Sequence, residues 1–134
     1  TIAQLPLSEW ATEFDYYKDG WSRGRYAFWR KNVFAELRQD FIYTAKSGAI
    51  LSGKIDQRGS YELWARYLDG TLGGEFDIII NDTQYLIRNN PGEERFVWRK
   101  LGEVELSGKT DIEITNISGE SAVADLVIVN QKTK

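Results

Sequence analysis

From residue 33 onward the chain is a succession of short apolar runs punctuated by turn formers. "YELWARYL" alternates cleanly, with Tyr61, Leu63, Ala65 and Tyr67 on one side and Glu62, Trp64 and Arg66 on the other, the period-two signature of a half-buried strand. "VFAELRQDFIYT", "GAILSGKI", "EFDIII", "TQYLIR", "RFVWRKL", "DIEIT" and "AVADLVIV" carry the same β-branched and aromatic bias. Between them lie "DQRGS", "DGTLGG", "ND", "NNPGEE", "SGK" and "NISGE", each rich in the residues that turns require. About eight to nine short strands with turn signals roughly every 8–12 residues predict an all-β sandwich of antiparallel strands rather than a βαβ fold.

The first 30 residues read two ways. As a helix, "LPLSEWATEFDYYKDG" has Ser8 as its N-cap, Trp10, Phe14 and Tyr17 on one face, and Gly20 just past the end. As an opening strand it alternates through Trp10, Thr12, Phe14 and Tyr16. The strand is preferred because everything after it is β, with one short helix over residues 8–19 as the alternative.

Composition narrows the function. At 134 residues, 42% hydrophobic and 28% charged, the chain has the length and balance of one globular domain that needs no staple to fold. Cys and His are absent, which removes disulfides, thiol and Ser-His-Asp nucleophiles and the commonest metal ligand. A net charge of −3 offers nucleic acid no overall attraction. No apolar run is long enough to cross a membrane as a helix. Met is absent too, and a chain that begins "TIAQLP" reads either as processed or, the preferred reading, as a single domain, residues 1–134, excised from a longer protein. Acids such as Glu93 and Glu94 fall in the turn after "NNPG", a solvated setting rather than a cleft flanked by carboxylates, so catalysis is not expected. "NDT" at Asn81 and "NIS" at Asn116 match the glycosylation sequon, a short and permissive pattern.

The densest candidate chemistry lies in "FDYYKDGWSRGRYAFWRKNVF", where eight of 21 residues are aromatic and five are Lys or Arg. Sugars offer apolar C–H faces to aromatic rings and hydroxyls to planar polar groups. Trp21 follows Gly20 in a turn-like stretch where its ring is either exposed as a sugar platform or buried as core, and Arg23 and Arg25 flank Gly24 as hydroxyl or carboxylate partners. In "RYAFWRKNVF", Tyr26 and Phe28 read as core and alternate with Ala27 and Trp29, the latter a further stacking candidate. Trp64 points away from the inward side of its strand, between Glu62 and Arg66. It is either a sugar platform or a ring covered by the N-terminal segment or a neighbouring domain. Trp98 alternates with Phe96 and reads as core.

Three segments carry a resemblance. "GSYELWARY" resembles the glycine-x-tyrosine strand, ending in Arg-aromatic, of galactose-binding-like jelly-roll domains, which include many carbohydrate-binding modules. "FVWRKLGEVELSGKTDIEIT" is similar to their later Trp-containing segment, and "ADLVIVN" to their closing strand. The segments occur in the family's order over residues 57–129. The resemblance implies a two-sheet jelly roll and often a structural calcium, held by N-terminal acids and the closing-strand Asp. The corresponding residues here are Asp125 with Glu13 or Asp15, although the family's opening acidic motif is not clearly present.

The expectation is a non-catalytic carbohydrate-binding module of an extracellular or cell-surface protein. Trp21, Trp29 and Trp64 would stack on an oligo- or polysaccharide, and Arg23, Arg25 and Arg66 would hydrogen-bond to it. Neighbouring domains of the parent chain are its other partners, and the domain itself is expected to be a monomer. The alternative is a structural accessory domain whose aromatics pack against its parent chain.

Overall fold

A computed structural model describes residues 2–11, 20–24, 39–71 and 73–130. Its strands are β1 (Ile2–Gln4), β2 (Ser22–Gly24), β3 (Phe41–Thr44), β4 (Ile50–Asp69), β5 (Glu75–Ile80), β6 (Thr83–Ile87), β7 (Arg95–Ser118) and β8 (Ser121–Asn130). One helical turn, α1 (Leu7–Trp10), follows β1. The helical reading therefore holds at these residues and the preferred opening strand does not. Ser8 lies inside the turn instead of capping it, and residues 12–19 lie outside the described residues. Backbone bonds close this turn, Trp10 N–H donating to the Pro6 carbonyl at 3.2 Å and Ala11 N–H to that of Leu7 at 3.3 Å, and they leave no extended edge for a strand partner. Of the strand expected over 33–44, β3 takes the last four residues, and residues 33–38 lie outside the described residues.

Every strand pairing is antiparallel, and the strands form one hydrogen-bonded path in the order β2-β3-β8-β4-β7-β5-β6, with β1 also on β8. The path folds over itself because β4 and β7 are long enough to serve both layers. The first half of β4 and the second half of β7 join β5 and β6 in a first layer. The second half of β4 and the first half of β7 join β8, β1, β3 and β2 in a second layer. Two expected turns disappear into this hairpin. "DQRGS" and "SGK" are strand, and they pair with each other: Asp56 with Lys109, Gln57 with Gly108, Arg58 with Ser107. They are polar because here the ribbon crosses between layers and neither face is covered, Asp56 to Gly59 all being exposed. Gly59 and Gly108 take φ of 133° and 126°, conformations that a side chain would oppose and that let the ribbon bend.

The two layers bury one core. Tyr61, Leu63, Ala65 and Tyr67 from the second layer meet Phe76, Ile78, Ile80, Ile112 and Ile114 from the first, as the alternation requires. Tyr67 stands edge-on to Phe76 with centroids 5.7 Å apart, a contact that ties layer to layer. A smaller cluster, Phe41, Tyr43, Leu68, Ala122 and Ala124 with Phe96 against it, covers one end of the opposite face of the second layer.

Candidate functional site

On the outward side of β4 stand Glu62, Trp64, Arg66 and Leu68. Register sets Lys100 beside Trp64, Trp98 beside Arg66 and Phe96 beside Leu68 on β7, with Val127 beside Trp64 and Asp125 beside Arg66 on β8. Phe41 covers Phe96, their rings 6.1 Å apart and tilted by 55°. Among the described residues no ring covers the next one along β7 in this way, and Trp98 is 48% exposed. The expectation that Trp98 is core is therefore corrected. Phe96 and Trp98 do share a face, as their spacing requires, but it is the outer face, and its cover ends at Phe96.

The polar groups hold these rings in place. The Arg66 guanidinium lies 5.9 Å from the centre of the Trp98 ring and 3.9 Å from the Asp125 carboxylate. Asp125 is buried and also accepts N–H groups from the Gln4 side chain and, at 3.2 Å, the Gln39 side chain. Trp64 donates its indole N–H to Glu62 at 3.0 Å, and Lys100 lies 3.5 Å from Glu62 and 3.6 Å from Glu103. The bond from Trp64, ahead of the Lys100 charge, holds the Glu62 carboxyl below its ordinary value of 4.5. A depressed carboxyl contributes its stabilisation above the unfolded value and loses it as pH falls through the lower folded value. The Trp64 tether is accordingly expected to be constant at neutral pH. Its indole fluorescence should change only below about 4.5, and a transition near pH 6–7 would contradict the assignment.

The result is a firm, partly apolar strip with two indoles at diagonal positions, about 7–8 Å apart by cross-strand geometry, and charged hydrogen-bonding groups between and beside them. Next to Asp125, where β1 and β3 leave the edge of β8 between them, a cleft of about 410 Å³ is lined by Gln4, Leu5, Pro6, Leu7, Gln39, Asp40 and Ala124.

The sequence candidates divide. Trp64 and Arg66 come together on this face. Trp21 does not: it is 5% exposed, its indole N–H shared between the Ala49 and Ile114 carbonyls at 3.1 Å each, its ring 6.3 Å from Phe76. Trp21 as a sugar platform is thus corrected. Its glycine-flanked position suggests a loop, but its indole enters the core edge, where the Ala49 and Ile114 carbonyls accept its N–H. Arg23 lies on β2, separated from β4 by β3 and β8, with its guanidinium 3.8 Å from Asp40. Arg25, Trp29, Glu13 and Asp15 lie outside the described residues. Asn116 is fully buried, donating to Lys46 and Gly119 carbonyls and accepting from Ser121, so its sequon is a structural strut, whereas Asn81 is exposed in the β5–β6 turn.

The calcium expectation meets a specific difficulty at Asp125. Calcium takes oxygen ligands, yet the partners of Asp125 among the described residues are a guanidinium and two side-chain amides acting as donors. No cluster of acidic residues suited to an ion occurs among the described residues. The described shell of Asp125 supplies it with donors rather than with further oxygen ligands, and Glu13 and Asp15 lie outside the described residues. Chelator is expected to leave the melting curve unchanged, whereas Asp125→Ala should cost about 1.5–3 kcal/mol by stranding Arg66 and both amides. A chelator-dependent fall in melting temperature would reverse the assignment.

No family model and no curated protein matches the sequence. Solved structures do match in fold. A carbohydrate-binding module from Cellvibrio mixtus lichenase 5A, solved with cellotriose, aligns over 98% of this chain and 98% of its own at 12% identity, with a TM-score of 0.62. The CBM36-1 domain of a multidomain xylanase from the hindgut metagenome of Trinervitermes trinervoides aligns over 99% and 98% at 11% identity, with a TM-score of 0.61. In longer proteins the match is to a part: this chain spans 22% of a GH26-CBM35 β-(1,4)-mannanase from Podospora anserina and 17% of the insecticidal crystal protein Cry2Aa. Those alignments cover 72% and 69% of this chain, at 16% and 15% identity and TM-scores of 0.57 and 0.58. The likeness is one of fold: this chain shares the two-layer antiparallel β-sandwich of both modules over nearly its whole length.

Proposed function

We propose that this domain is a non-catalytic carbohydrate-binding module that holds a larger extracellular protein on a glycan through the outer face of its second layer. The observation that carries the reading is Trp98: a half-exposed indole backed by Arg66, beside Trp64, on a rigid sheet. A pyranose with equatorial hydroxyls lays its C–H face on such a ring, and its hydroxyls reach Arg66, Lys100, Glu62 and Glu103. Because the cations are already matched by carboxylates, the strip suits a neutral chain better than an acidic one. The full-length fold matches are themselves carbohydrate-binding modules, one of them holding cellotriose, which supports the class. Isothermal titration with cellotriose, xylo-oligosaccharides and manno-oligosaccharides tests it. Saturable binding to at least one neutral series, with quenching of indole fluorescence, is expected. Absence of binding across all three and across a glycan array would end the proposal.

A further inference from the structure

The edge of β8 that faces away from β4 is interrupted. β1 pairs with it over residues 127–129 and β3 over residues 121–123, and Ala124, Asp125 and Leu126 lie between them with no strand partner on that side. Two hydrogen bonds close the gap in part. The Ala124 carbonyl accepts the Gln39 side-chain amide at 3.2 Å, and the Leu126 carbonyl accepts the Leu5 backbone N–H at 2.8 Å. What remains open is the cleft of about 410 Å³, within the range of about 300–1,000 Å³ that small-molecule sites occupy.

The polar groups of this cleft are acceptors. Gln4 and Gln39 both give side-chain N–H groups to the buried Asp125 carboxylate, and a carboxylate only accepts, so both amides are fixed with their oxygens turned away from it. Among the described residues neither amide oxygen accepts a hydrogen bond. Asp40 adds a partly exposed carboxylate, 3.8 Å from the Arg23 guanidinium. Leu5, Pro6 and Leu7 supply an apolar wall. Three acceptors and an aliphatic wall together suit a ring that carries hydroxyl donors and a C–H face.

The cleft also lies in line with the outer strip. Trp98 on β7, Arg66 on β4 and Asp125 on β8 stand directly opposite one another in a row that crosses the strands, and Gln4 and Gln39 carry that row from Asp125 to the cleft. Strands repeat about every 4.8 Å, so Trp98 and the cleft are about 14 Å apart, the reach of an oligosaccharide and not of one sugar. We infer that the cleft is a second sugar subsite of the same face. A neutral polysaccharide lies across the strands, one residue stacked on Trp98 and a later one seated in the cleft, its hydroxyls donating to Gln4 Oε1, Gln39 Oε1 and the Asp40 carboxylate. The inference rests on the glycan reading of the strip, and adds to it a direction for the bound chain and a minimum length for full affinity.

The test is calorimetric titration with cello-, xylo- and manno-oligosaccharides, each from the disaccharide to the hexasaccharide. Asp40→Ala removes an acceptor, and Asp40→Trp fills the cleft from a partly exposed position. The Arg23–Asp40 pair is partly exposed and contributes little to stability, so both variants are expected to melt near the native chain. With the series that binds best, each variant should weaken hexasaccharide binding at least tenfold, the loss expected of a hydrogen bond to a charged acceptor, and change disaccharide affinity less than twofold. Trp98→Ala should weaken both lengths. Variants that bind the hexasaccharide as the native chain does overturn the subsite and leave the strip reading standing. An equal loss at both lengths overturns it too, because Asp40 would then act through the fold or the strip. A native chain that binds no length of any series ends the strip reading itself, and this inference with it.

Discussion

Trp98→Ala is expected to weaken glycan binding at least thirtyfold while the domain stays folded. The binding loss corresponds to about 2 kcal/mol, the lower bound for a central aromatic anchor at an interface. Half of this indole faces solvent and the Arg66 guanidinium lies beside it, so truncation removes only part of a ring's burial and one cation–π contact. About 1 kcal/mol of stability is the most that such a change should cost. Trp64→Ala should weaken binding as well. It also frees Glu62 from its indole donor, which leaves the carboxylate held by Lys100 alone. Trp98→Phe is the informative control, since it keeps a ring face but shortens it, and intermediate affinity is expected. Titration calorimetry and thermal melting on the same samples separate the two effects. If Trp98→Ala binds as the native chain does, the outer strip is not the binding surface.

Trp21→Ala is expected to give the opposite signature, a large loss of stability from a residue that touches no ligand. The indole is buried in the main cluster against Phe76, and its N–H serves two backbone carbonyls from separate strand regions, Ala49 before β4 and Ile114 within β7. Removing it leaves a cavity and takes the indole donor from both carbonyls, of which that of Ala49 keeps the Asn116 backbone N–H. Large-to-small core changes at Trp cost about 3–5 kcal/mol, a large share of the roughly 5–15 kcal/mol that holds a domain folded. For a chain of this length the melting temperature should fall by on the order of 10–20 °C. Trp21→Phe should recover part of the packing but not the shared donor, and so melt between the two. A Trp21→Ala variant that melts with the native protein would return this residue to the surface and reopen its role in binding.

Much of this site was legible in the residues themselves. The alternation of "YELWARYL" determined that Tyr61, Leu63, Ala65 and Tyr67 share the core side and that Trp64 and Arg66 share the other, because side-chain direction along a strand follows from the backbone alone. The same rule determined that Phe96 and Trp98 lie together. Local pattern is silent, however, on which of two faces is covered. Phe41, distant in the chain, lies over Phe96 and stops short of Trp98, so one ring is sheltered and its neighbour is offered to a ligand. Trp21 failed in the reverse direction. Glycine neighbours describe a flexible backbone, whereas the carbonyls that capture its indole come from Ala49 and Ile114.

The paired stretches "DQRGS" and "SGK" show the same limit at the level of the fold. A polar, glycine-bearing segment looks alike whether it reverses the chain or carries a ribbon across the uncovered gap between layers. Only the long-range register of β4 on β7, with Gln57 opposite Gly108, distinguishes the two. The sequence by itself determined the strand class, the inward set and the outward set. Tertiary structure decided which outward residues are covered, since covering depends on segments brought together from elsewhere in the chain. Asp77 on β5 depends on both: alternation turns it outward, and the row in which Ile50, Thr115, Asp77 and Leu86 stand opposite one another across four strands buries it.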